Sequence, residues 1–399
     1  MKGTHSVPQD VTSLVRGFNA FGLSLHTHLP REGNCFYSPL SIAIALSMLL
    51  PGAKGETLRE LTTLLQTDAD VDRLPERVAA LIESLEWRAS EFNWETDEAV
   101  QKDVFRLHLA NALFAQTGYP VRQAYVDTLR EHFSAALEIL DFGQAEESAD
   151  KINGWVSEQT RGMIPNLIGP HMISPEARVI LVNAVYFFAE WRNQFSKRAT
   201  TPQPFYLSGG TGGAVDVSMM RDEQHLSYGN HPELGLQSLE IPYQASMSML
   251  VLLPAEGALQ AVEEKLSADL LERLDAARTD TPIDLELPKF AITFQSPLRA
   301  IIESLGVRTA FDLENSEFTG ISDHPDGLAI DEIIHEARVR VDEHGTEAAA
   351  ATAELAMLGE PEEEPVVVPF IVNRPFLFVI RDRQTGAVLF VGRVEHPEE

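Results

Sequence analysis

The ten residues 179–188, VILVNAVYFF, limit the possible folds more than any other stretch of the chain. Successive side chains of a strand point to opposite faces, so a run that is apolar at nearly every position belongs to a central strand covered on both sides. The chain therefore needs a large sheet with packing layers on both faces. Asn183 interrupts the run. A buried amide must be hydrogen-bonded, so this strand has to carry a polar contact at its middle.

Helical patterns gather early. Ser38 before Pro39 is a good cap followed by proline at the first helical position, and Ile42, Ala45, Leu46 and Leu49 then share a face. Leu74, Val78, Leu81 and Leu85 mark a second helix; Ile152, Trp155 and Val156 mark a third that stops near Gly162. Strand patterns come later. IDLELPKFAITF (283–294) largely alternates like one half-buried strand, and FLFVIRD and AVLFVGRV flank RQTG as a C-terminal hairpin. No linker or repeat divides the chain, although its 399 residues alone would suggest two or three domains. Helices early and strands late, without regular alternation, predict an α+β fold rather than a doubly wound sheet.

Charge and motifs then exclude several functions. Lys and Arg number 31 against 60 Asp and Glu, a net charge of -29, which would repel nucleic acid and anionic membranes. The single cysteine, Cys35, makes neither an internal disulfide nor a Cys-rich zinc site, and His26 and His28 have no third ligand nearby, so no metal is expected. The first residues lack a signal-peptide core, and IAIALSMLL is too short to span a bilayer. The compartment stays open: cytoplasmic, or exported with the signal absent. GGTGG (209–213) and PGAKGET (51–57) lack phosphate-loop spacing and are expected to be turns. With no nucleophile elbow, dinucleotide fingerprint or His-Glu-x-x-His, the chain has no enzyme signature and calls for no cofactor.

One segment resists a simple reading: HGTEAAAATAELAMLGEPEEEPVVVPF (344–370). Propensity alone makes EAAAATAELAML a helix. That run has no good apolar face to dock, and the EPEEEP after it should project into water.

Here the sequence resembles the serpin family, over almost its whole length. NCFYSPLSIAIALSMLLPGAKGET, INGWVSEQTRGMIPNLI, LVNAVYFFAEW, the Met pair at 219–220, IPYQASMSMLVLLP, LPKF, LGVRTAFD, VDEHGTEAAAAT and NRPFLFVIRD follow the family's order. The impression is of a bacterial-type member. The resemblance implies one domain of three β-sheets and about nine helices, with an exposed reactive-centre loop at about 343–369. It implies a suicide-substrate inhibitor of serine proteases: the target cuts the loop, forms an acyl-enzyme, and is trapped when the loop enters the main sheet as an extra strand. It also implies individual roles. Ser38, Ser41, Asn183 and His335 match the polar "shutter" beneath the sheet. Trp191 matches the "breach" where insertion begins, with ordinary core packing as the other reading of that residue.

The loop residues suit such an insertion. Gly345 is the permissive hinge. With period-two alternation Thr346, Ala348, Ala350 and Thr352 would face inward, all small, while Glu347, Ala349 and Ala351 face the other side. No proline occurs from Gly345 to Leu358, so every amide can join a ladder. About a dozen new ladder bonds at ~1 kcal/mol each would rival a whole domain's stability.

The scissile bond is less sharply placed. Family spacing from the hinge puts it after Gly359, while counting back from Pro375 puts it near Glu364. Leu358–Gly359 is the preferred bond, because Leu358 or Met357 suits a chymotrypsin-like pocket; Glu360 or Glu364 would imply a Glu-specific target. A chymotrypsin-like or subtilisin-like serine protease is thus the expected covalent partner of a monomeric inhibitor. The chain departs from the family at Arg338 and Arg340, where an aromatic and an acid are usual, and at His344, a protonatable group that could make loop entry pH-sensitive. The acidic helix around residues 74–95 replaces the basic patch of heparin-binding members, so heparin is not expected to bind. The competing function is a non-inhibitory serpin, a carrier or chaperone, whose hinge would carry bulky, charged or proline residues.

Overall fold

The computed structural model describes residues 9–67, 71–92, 105–207, 213–346 and 366–399. The helices are α1 (Gln9–Ser24), α2 (Pro39–Ser47), α3 (Gly55–Leu64), α4 (Leu74–Phe92), α5 (Gln123–His132), α6 (Ala145–Gln159), α7 (Leu259–Glu263), α8 (Ala268–Ala277) and α9 (Arg299–Ser304). The early strands are β1 (Cys35–Tyr37), β2 (Phe105–Gln116), β3 (Ala136–Leu140), β4 (Val179–Glu190), β5 (Thr201–Tyr206), β6 (Ala214–His231), β7 (Leu236–Pro242) and β8 (Met247–Pro254). The later ones are β9 (Thr279–Pro288), β10 (Phe290–Pro297), β11 (Glu332–Asp342), β12 (Gly345–Thr346), β13 (Val368–Ile371), β14 (Phe376–Asp382) and β15 (Val388–Val394).

The apolar run at 179–188 is the heart of β4, and every residue of that strand is buried. It lies inside a six-stranded sheet of order β10-β11-β12-β4-β2-β3. Both faces are covered, as the run demands. On one side α2 is buried at all nine positions, and α6 closes the other through Ile152 and Val156 packed on Ala112, Ile180, Val182 and Ile334. α2 starts where its cap lies: Ser38 Oγ accepts the Ser41 amide, and Pro39 takes the first helical position.

Three sheets were expected, and the described residues form two hydrogen-bonded networks, the second nine-stranded. The cause is β6, whose 18 residues pair with β5 at the start, with β9 from Met219 to Tyr228 and with β7 from Ser227 to His231, so two sheets merge through one strand. The single strand expected over 283–294 is two strands. β9 ends at Pro288 in the nine-stranded sheet and β10 begins at Phe290 in the six-stranded one. Lys289 makes the corner, its amide bonded to Ser218 O at 2.9 Å. The C-terminal hairpin forms as expected, β14 antiparallel to β15. The glycine run at 209–212 lies outside the described residues.

Candidate functional site

The centre of the six-stranded sheet is a seam between two parallel strands, β4 and β11. They pair directly over seven residues, from Glu332 opposite Ile180 to Arg338 opposite Tyr186. Above Arg338 the two strands part. The chain turns sharply after Asp342, whose carboxylate accepts the His344 amide at 2.9 Å, and comes back into the gap as β12. Gly345 then lies opposite Asp342 and Glu190, and Thr346 opposite Val341 and Ala189, antiparallel to both neighbours.

Gly345 is required at this point. Its φ is +144°, and an added Cβ would sit 2.1 Å from Ala189 O and 2.7 Å from Glu190 Cα. Thr346 is fully buried and its hydroxyl meets Tyr243 Oη at 2.9 Å. Beneath it Trp191 stacks on Tyr243 with ring centroids 4.1 Å apart and planes within 5°. The Trp191 indole donates to Asp342 O at 3.0 Å, and its amide donates to His344 O at 2.9 Å. Trp191 is therefore more than core filling, since it grips the turn that feeds β12. Glu343 is buried beside it, accepting from Thr200 Oγ1 at 2.8 Å with Lys289 Nζ at 3.4 Å. Burial opposes its charge, yet these partners hold its carboxyl below the usual range. His344 Nδ1 lies 3.3 Å from Gln194 Oε1.

Halfway down the seam is a buried polar cluster. Asn183 and His335 are register partners across it, and His335 Nδ1 donates to Asn183 Oδ1 at 2.5 Å. His335 Nε2 accepts the Ser38 amide at 3.2 Å, which fixes the proton on Nδ1. Asn183 Nδ2 donates to Ser41 Oγ at 2.6 Å and to Asn111 Oδ1 at 2.5 Å. Ser38 Oγ in turn donates to Leu389 O at 2.6 Å. Four elements, β2, β4, β11 and α2, are thereby joined, with β15 beneath. Burial pushes the His335 pKa down to about 3, so the ring is neutral. The adjacent Glu336 points to the opposite face, where burial outweighs the pull of Arg338 and raises its carboxyl to about 7.

Of the residues singled out from sequence, Ser38, Ser41, Asn183 and His335 meet at mid-seam, and Trp191, Gly345 and Thr346 meet at its upper end. Glu347, Ala348, Ala349, Ala350, Ala351, Thr352, Leu358 and Gly359 lie outside the described residues. Arg338 donates to Met163 O at 3.2 Å, and Arg340 is exposed on the same face. Asn111 and Tyr243 were not singled out. Asn111 gave the same signal as Asn183, an amide within an apolar run, in LHLANALF.

A large sheet whose central parallel seam is entered from one end by a short returning strand is a specific architecture. The chain belongs to the serpin family: the family model described as serpin (serine protease inhibitor) matches residues 16–397. An uncharacterised serpin-like protein of Thermococcus kodakarensis is 33% identical over 389 residues, covering 97% of this chain and 86% of its own. The leukocyte elastase inhibitor of Xenopus laevis is 33% identical over 374 residues, 92% of this chain and 93% of its own. Among solved structures, human thyroxine-binding globulin complexed with thyroxine matches with a TM-score of 0.85 and 26% identity, covering 98% of this chain and 100% of its own. As a family, serpins are protease inhibitors rather than enzymes.

Proposed function

We propose that the chain is a suicide-substrate inhibitor of serine-type endopeptidases, with Leu358–Gly359 as the bond that is cut. One observation carries the reading: β12 already occupies the parted upper end of the seam, antiparallel to both flanking strands. A cut loop that continued in this register would zip downward residue by residue. Glu347 would come opposite exposed Arg340, on the water-facing side. Ala348 would pass between Val339 and Phe187, Ala350 between Ala337 and Val185, and Thr352 between His335 and Asn183. The inward positions carry small residues and would meet side chains of β4 and β11 that are buried, as entry into a packed sheet requires. The protease would remain attached by its acyl bond and be carried along the sheet.

Incubation with chymotrypsin, subtilisin and a Glu-specific protease tests this, read by denaturing gel and mass spectrometry. A boil-stable complex and a released peptide beginning at Gly359 are expected; a peptide beginning after Glu360 or Glu364 would move the bond. Rapid loop cleavage with no complex and undiminished protease activity would overturn the reading. The second reading, a non-inhibitory carrier, draws on the likeness to thyroxine-binding globulin. The small, uncharged Gly345 and Thr346 at the seam favour the inhibitor.

A further inference from the structure

The lower end of the seam is held differently from the rest. Just below the last register pair, the Asp331 amide donates to Val179 O at 2.8 Å. The Asp331 carboxylate reaches back across the seam and accepts two consecutive amides at the start of β4, Arg178 N at 2.5 Å and Val179 N at 2.9 Å. Hydrogen bonds to an ionised acceptor are roughly twice as strong as neutral ones, so this end is tighter than the ladder above it. Each side is braced from behind. Arg299 of α9 donates to Asp331 O at 3.0 Å, and Arg178 Nε donates to Tyr119 Oη at 2.6 Å.

The register of β12 says when this contact must yield. If a cut loop kept the register of Gly345 and Thr346, Ala356 would come opposite both Asp331 and Val179, and Met357 opposite Arg178. These residues immediately precede Leu358. In that register Glu347 to Leu355 would enter while the Asp331 bonds stay intact.

We propose that Asp331 is a latch that closes the base of the seam and sets whether a cut loop completes its insertion. Resting on the inhibitor reading, it makes Asp331 a positioning residue acting through the amides of Arg178 and Val179. The latch resists only the last step of entry, where a trapped protease and an escaping one part ways. It also keeps the uncut chain from taking up its own loop.

The test uses the full-length, uncut chain with Asp331→Ala and the milder Asp331→Asn. Two synthetic peptides, Glu347–Leu355 and Glu347–Leu358, are annealed to each protein, alongside titration of chymotrypsin. The long peptide should enter Asp331→Ala about tenfold faster than wild type, the scale of one charge-assisted bond removed from the barrier, with Asp331→Asn between. The short peptide should enter all three at one rate, which general loosening of the fold would not produce. Fewer inhibitor molecules should be consumed per protease trapped by Asp331→Ala. Equal rates for the long peptide in all three proteins overturn the latch, and a boil-stable wild-type complex in that same experiment leaves the inhibitor reading standing. Absence of any complex, with the long peptide still faster in the variant, overturns the inhibitor reading and keeps the latch. If Asp331→Ala does not fold, the peptide comparison in Asp331→Asn decides alone.

Discussion

Asn183 and His335 face each other across the parallel seam, joined at 2.5 Å by a hydrogen bond from a ring that burial keeps neutral. Each belongs to a strand that entry of the loop would separate. Asn183→Ala would strand the His335 Nδ1–H and the Asn111 oxygen in a buried site. The uncut chain should lose about 3 kcal/mol in urea unfolding, as two unsatisfied buried groups cost. A loss under about 1 kcal/mol would mean that the cluster does not hold the seam.

His335 and Glu336 should oppose each other in the pH dependence of stability. The His335 pKa is depressed to about 3 in the fold from 6.5, so the unfolded chain binds more protons between those values and stability falls as pH drops through them. Glu336 is raised to about 7 from 4.5, so the folded chain holds more protons there and stability falls as pH rises through that window. Each slope is at most about 1.4 kcal/mol per pH unit. His335→Gln should remove the first and Glu336→Gln the second, measured as variant-minus-wild-type stability from pH 4 to 8. Identical profiles for Glu336→Gln and wild type above pH 5 would contradict the raised carboxyl.

Gly345→Ala forces a Cβ against the β4 backbone at a φ that side chains avoid. β12 should leave the gap at a cost of about 1–3 kcal/mol. Proteolysis of the uncut chain near residue 345 should rise at least fivefold, and protease trapping should fall. Unchanged proteolysis would show that the gap tolerates the methyl group.

Thr346→Arg would place a cation where the wild-type side chain is wholly buried against Tyr243. An unpaired buried charge costs several kcal/mol, so the variant should be cut as a substrate without forming a complex. Equal complex formation by Thr346→Arg and wild type would contradict entry through this position.

Where local chemistry decides structure, the sequence was readable. The Ser38–Pro39 cap, the covered strand at 179–188 and the final hairpin follow from propensity and periodicity at single sites. The corner at Lys289 was not readable, because alternation runs on across it while the strand changes sheets. β6 was equally hidden: it is polar along much of its length, so no apolar run announces the strand that merges two sheets. The polar cluster could be partly foreseen, since an amide in an apolar strand needs a partner. Asp331 could not be, because an acid at a strand entrance looks like surface until two backbone amides are found to converge on it.

The directions of the strands carry a last consequence. The chain leaves β11 through a turn too short to do anything but reverse, so Gly345 and Thr346 run against both β11 and β4, and a loop that entered behind them would do the same. Parallel pairing is slightly weaker per residue than antiparallel pairing. On the proposed reading, each residue that entered below Arg338 would exchange one of the weaker contacts for two of the stronger kind. On that reading the arrangement would work as a one-way ratchet, its direction set by the turn at residue 343 in the uncut chain.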